Sequence, residues 1–157
     1  MSDKFEEYRL KVAGTNIDQR SLLSTDYFNT FNSVAMVFDM LPDMPELLEE
    51  VDAWQFFDYI EHFRHSGLDF ADLAIEAYPH APADLRAAFE SKVAGMRIIV
   101  EETRRTLHLL QEAGEMKTFS TFASHIAEIF HQMMDEGGAI IHGETTSLSQ
   151  DSIDQMF

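Results

Sequence analysis

The chain has 157 residues, 45% of them apolar, with seven glycines, four prolines and no cysteine. Those values fit one all-helical domain, and the missing thiols exclude disulfides, thiolate metal sites and cysteine nucleophiles. A formal charge of −17 repels a phosphate backbone over a Debye length and excludes nucleic acid as a partner.

No apolar run approaches the ~18 residues of a membrane span. The opening MSDKFEEYRL also lacks the apolar core of a signal peptide, so a cytoplasmic protein without a membrane partner is expected. The acid is unevenly placed. From Ser21 to Phe63 there are nine Asp or Glu and no Lys or Arg, and none of either cation follows Lys117. Such a surface keeps a protein soluble and otherwise favours a partner with a basic patch.

Residues 1–20 are polar and of mixed charge, broken by Gly14 and Asn16, and read as an extended or weakly helical arm. A helix over about 25–41 follows from the stripe Tyr27, Phe28, Phe31, Val34, Ala35, Phe38 and Leu41, and Pro42 stops it. Pro45 opens a short acidic helix to Val51. A further helix is expected over 54–65, with Phe56, Phe57, Ile60 and Phe63 on its buried side and Gly67 ending it. Asp69 is placed as the N-cap of a helix that ends near Tyr78, and Pro79 and Pro82 bracket the next turn.

The longest pattern runs over 82–113. Phe89, Val93, Met96, Val100, Thr103, Leu107 and Leu110 recur in steps of four and three, a heptad seam along a helix of roughly 48 Å. Pro82 suits its first turn and Gly114 its C-terminal stop, while Gly95 weakens the interior. A partner helix is expected over 118–142, with Phe119, Phe122, Ile126, Ile129, Phe130, Met133, Ile140 and Ile141 on one face. The short connection makes the two antiparallel neighbours. Gly137 and Gly138 mark a kink, a close helix contact or a helix end, and Gly143 terminates the segment. An exposed seam would make a homodimer, unless the N-terminal helices fill it.

After a polar linker, 148–157 (LSQDSIDQMF) forms a compact amphipathic pattern. Ser149 can cap, Asp151 lies in the first turn, and Leu148, Ile153, Met156 and Phe157 share one side of a short helix. Ten residues cannot hold a helix alone in water, so the segment is expected to order on a partner's surface, as a helix-in-groove ligand does. It resembles the receiver-binding N-terminal peptide of the flagellar motor switch protein FliM, of the form Leu-Ser-Gln-x-Glu-Ile-Asp-x-Leu-Leu. Leu148, Ser149, Gln150, Ile153 and Asp154 match it directly, Met156 and Phe157 take the two terminal apolar positions, and Ser152 replaces the usual Glu. The phosphatase CheZ carries a comparable helix at its C-terminus. The resemblance implies a response-regulator receiver domain as partner, contacted through these residues and Asp151.

Glu128 and His131 have the Glu-x-x-His spacing of di-iron bundles. At ~100° per residue they lie roughly 150° from the apolar face centred on Ile126, so they face water and no metal centre or other cofactor is expected. His62 and His65 fall on the polar side of their helix, whereas His108 and His125 read as packing residues. Met36, Met40 and Met44 read as helix and turn packing. Glu128 and Gln132, four apart, stand one above the other. An acid and an amide so placed are similar to the pair with which CheZ positions a water against a receiver's phospho-aspartate.

The expected fold is therefore all-α, a helical bundle built on a long antiparallel hairpin. It comprises an arm (1–20), a bundle domain (21–143), and a linker with its binding peptide (144–157). The expected function is a non-catalytic signalling adaptor that offers its C-terminal peptide to a receiver domain in chemotaxis or motility. The alternatives are a receiver phosphatase acting through Glu128 and Gln132, and a metal- or small-ligand-binding bundle.

Overall fold

The computed structural model describes residues 3–144. Among them the chain is all-α: α1 (Asp3–Lys11), α2 (Asn29–Met40), α3 (Leu48–Ala53), α4 (Tyr59–Ser66), α5 (Ala71–Ala77), α6 (Ala83–Glu112) and α7 (Met116–Ile141), with three short 3-10 turns and no strand. The residues form two compact units. One comprises 3–27, 57–92 and 136–144, the other 28–56 and 93–135, so α6 and α7 each contribute to both.

In the first unit, the residues read as an arm begin with α1, anchored by the buried Phe5. Val12, Ile17, Leu22 and Leu23 then bury their side chains completely or nearly so. Their irregular spacing hid this, since a loop core has no period to detect. The loop is shaped by Asp18, whose Oδ1 accepts the Arg20 N–H at 2.7 Å and the Ser21 N–H at 3.4 Å, an Asx turn. Leu22 carries the positive φ of 60° that the tight return requires. The Leu22 N–H donates to the Asp18 carbonyl, and the Asp18 N–H to the Leu23 carbonyl, each at 2.8 Å.

Asp18 also faces His142, with Nδ1 3.0 Å from Oδ2. Burial works most strongly on this carboxyl and opposes its ionisation. The His142 ring, the Arg20 N–H and guanidinium and the Ser21 N–H together outweigh it and hold the carboxyl below its ordinary value of 3.8. A depressed carboxyl contributes stability above its unfolded value and loses it as pH falls through the folded one. Asp18→Asn should therefore be less stable than the parent chain at neutral pH, with the gap closing as pH falls below about 4. Urea midpoints measured at both pH values check this, and a gap independent of pH would refute it.

The helix expected over 54–65 starts four to five residues later. Residues 54–58 are not helical, and Asp58 is the N-cap, its Oδ1 accepting the Glu61 N–H at 2.8 Å. A capping carboxylate and the β-favouring Trp54, Phe56 and Phe57 outweigh the helical pattern there. The buried residues of α4 are Tyr59 and Phe63, while Phe56, Phe57 and Ile60 are only half-buried. Gly67 ends it at φ 71°. Asp69 does not cap α5, whose N-cap position is Phe70 without a side-chain bond.

Tyr59 holds the aromatic cluster of this unit. It stacks on Tyr78 with ring centroids 4.6 Å apart, meets Phe63 at 4.7 Å and stands edge-on to Phe89 at 5.6 Å. Its hydroxyl accepts the buried Ser24 N–H at 3.0 Å, and burial pushes the pKa of that hydroxyl up. The neighbouring Tyr27 donates its own hydroxyl to the Phe57 carbonyl at 2.7 Å.

In the second unit, α2 buries Phe31, Val34, Ala35 and Phe38 as its stripe predicts. Phe130 of α7 meets Phe31 at 5.9 Å and stands edge-on to Phe38 at 5.3 Å. The seam of α6 is buried within the chain at Val93, Met96, Val100, Thr103 and Leu107, with Leu110 half-buried. At Gly114 (φ 73°) the Glu115 N–H reaches back to the Leu110 carbonyl at 2.9 Å, a Schellman stop. α7 runs through Gly137 and Gly138 without ending. A Cβ at Gly138 would meet no atom within 4 Å, so no close contact requires that glycine. α7 closes at Gly143 with the same motif, the Glu144 N–H donating to the Ala139 carbonyl at 2.9 Å.

Candidate functional site

The partner-binding residues read from the sequence, Leu148, Ser149, Gln150, Asp151, Ile153, Asp154, Met156 and Phe157, lie outside the described residues. The alternative pair is in view on α7. Glu128 and Gln132 are both exposed, as the helical phase of their side chains predicts. Between them in sequence stands His131, and its Nε2 lies 2.8 and 3.1 Å from the two carboxylate oxygens of Asp39 on α2. Both side chains of that pair are about half exposed, at 50% and 49%. The geometry commits Nε2 to Asp39 and leaves an acid and an amide one helical turn apart on a face that another protein can reach.

Among the described residues no group of three or more His, Asp or Glu side chains could hold a metal ion.

His65 is exposed on α4, as its place on the polar side predicts, whereas three other histidines depart from their sequence reading. His108 is not a packing residue: its side chain is 40% exposed, with Nε2 2.8 and 2.9 Å from the oxygens of Asp52. His125 is exposed as well and lines a shallow surface pocket with Lys117, Thr118, Thr121 and Phe122. His62, expected on the polar side of α4, is half-buried, edge-on to Phe63 at 4.8 Å and to Tyr27 at 5.6 Å, with Nε2 3.5 Å from Asp26. The sequence separations of these His–Asp contacts run from 36 to 124 residues. No local spacing could have signalled them.

Among the described residues no helix is long and apolar enough to cross a membrane. Comparison with protein-family models, with curated proteins and with solved structures finds no match to this chain.

Proposed function

We propose that the chain is a cytoplasmic signalling adaptor that offers residues 148–157 to a response-regulator receiver domain, in chemotaxis or motility. The observation that carries this reading is the pattern Leu148, Ser149, Gln150, Ile153 and Asp154 followed by the apolar pair Met156 and Phe157. Apolar residues at that spacing form one side of a short helix, the form in which a groove-binding peptide is read. The Schellman stop at Gly143 supports it from the body of the protein, because the peptide follows soon after a completed helix end. The body itself we read as a helical bundle built on the antiparallel pairing of α6 and α7. The short 113–115 connection supports that pairing. So do Lys92 against Glu136 at 3.5 Å, and the Cβ position of Gly95 at 3.3 Å from the Met133 methyl.

The test is titration of a CheY-type receiver, with and without beryllofluoride as phosphoryl mimic, into the full chain and its Ile153→Asp and Met156→Asp variants. Each variant should weaken binding by ~10-fold or more, since a charge placed on the apolar side forfeits about 1.4 kcal/mol at the least. Equal binding by parent and variants removes the adaptor reading. A receiver phosphatase remains the second reading, favoured by the exposure of Glu128 and Gln132 one turn apart. Gln132→Ala should slow receiver dephosphorylation under that reading alone.

A further inference from the structure

The exposed side of α2 does not match the packing role its sequence suggests. Met36 is 62% exposed and Met40 44%, and Met44, in the turn after the helix, is 39% exposed. Ser33, Met36, Val37 and Met40 fall within an arc of ~100° on one face of α2. Beside that face a cavity of about 190 Å³ is lined by Ser33, Val34 and Val37 of α2 together with Glu50, Ala53 and Trp54. A cavity of roughly 150 Å³ admits benzene, so this one has room for a large apolar side chain. Its far wall is rigid: the Trp54 Nε1–H donates to the Thr30 carbonyl at 2.8 Å, and the indole lies 5.5 Å from the Phe31 ring.

The segment that forms the groove is acidic, and Glu50 lines the cavity itself. Residues 28–56 contain six acids and no Lys or Arg, and Asp43, Glu46, Glu49 and Glu50 are all exposed. Arg97, which lies over the Phe56 ring at 4.3 Å, is itself paired with Glu101 at 3.0 Å. Exposed methionines are flexible and polarisable, which suits them to contact with apolar side chains of varied shape. The surrounding carboxylates select what those side chains are attached to.

From this the geometry points to a docking groove between α2 and α3 for a basic amphipathic helical segment of another protein. Its apolar side would lie on Met36, Met40 and Trp54, and its Lys or Arg residues would face Asp43, Glu46, Glu49 and Glu50. The other occupants are disfavoured by charge. A second copy would bring −17 against −17, and the chain's own residues 148–157 carry Asp151 and Asp154 with no cation. The groove is independent of the receiver-binding reading.

Trp54 is the one tryptophan of the chain, so its fluorescence reports on the groove directly. The experiment titrates the full chain with an amphipathic Leu/Lys peptide of ~18 residues free of aromatics. Oligolysine of equal charge and a Leu/Glu peptide of equal length serve as comparisons. The Leu/Lys peptide should perturb Trp54 emission and bind at least ~10-fold more tightly than either comparison, weakening as salt rises. A Met36→Gln, Met40→Gln double variant should reduce its affinity about 10-fold while leaving the thermal transition in place, because both side chains are exposed. Equal binding of oligolysine would reduce the effect to surface charge and overturn the proposal. Equal binding of the Leu/Glu peptide, or an unaffected double variant, would do the same.

Discussion

Phe130→Ala is expected to lower the unfolding free energy by about 3–5 kcal/mol, the range for removing a fully buried aromatic ring. Phe130 is completely buried, and its ring is the point at which α7 meets two rings of α2, Phe31 and Phe38. The loss has two parts. The transfer of the ring from water is forfeited, and the space it leaves stays open because neighbours on helices relax only partly. The edge-on contact with Phe38 adds a favourable ring–ring term that no aliphatic side chain replaces. Phe130→Leu should be milder than Phe130→Ala, yet costlier than the difference in size between Phe and Leu alone implies, because it forfeits the same ring–ring term. Urea unfolding gives the measurement: the midpoint should fall while the slope stays near the parent value. Against a total of about 5–15 kcal/mol for an ordinary domain, a loss under about 1 kcal/mol would mean that Phe130 is not where the structure places it.

Tyr59 offers the second large effect, and a pair of variants separates its causes. Tyr59→Phe keeps the stack on Tyr78 and the edge contacts with Phe89, but removes the oxygen that accepts the Ser24 N–H. Ser24 is fully buried, so its N–H would be left without that acceptor, at a cost of about 1–3 kcal/mol. Tyr59→Ala loses the hydroxyl and the ring together and should cost about 3–5 kcal/mol. The order Phe milder than Ala follows from any buried tyrosine. What is particular to this structure is the Phe variant: protection of the Ser24 amide against hydrogen exchange should fall more than that of α4 amides. Equal loss at both places would mean that the hydroxyl supports nothing at Ser24.

The elements that could be read in advance are those whose information is local. The seam of α6, the apolar face of α7, the stripe of α2 and the glycine stops at Gly67, Gly114 and Gly143 all follow from periods and end signals within a few turns. The exposed positions of Glu128 and Gln132 follow from the same period. Where a local signal was absent or contested, the reading shifted. The stretch 54–58 had helical spacing but lost to the Asp58 cap, and that moved the buried positions from Phe56 and Phe57 to Tyr59. The buried apolar residues of the 12–24 loop had no spacing to offer.

What the sequence by itself determined is the all-helical class, the extent of the two long helices and the faces they bury, because a helix's phase is set by 3.6 residues per turn wherever it lies. What only the tertiary structure decided is which distant groups meet. It brought Asp39 to His131, Asp52 to His108 and Asp18 to His142. It sank Leu22 and Leu23, left Met36 and Met40 exposed, and set Trp54 against Val34 and Val37. Contacts of that kind depend on how chain segments separated by tens of residues pack together, and hydrophobic burial is non-directional, so nothing in the residues flanking either partner encodes the meeting.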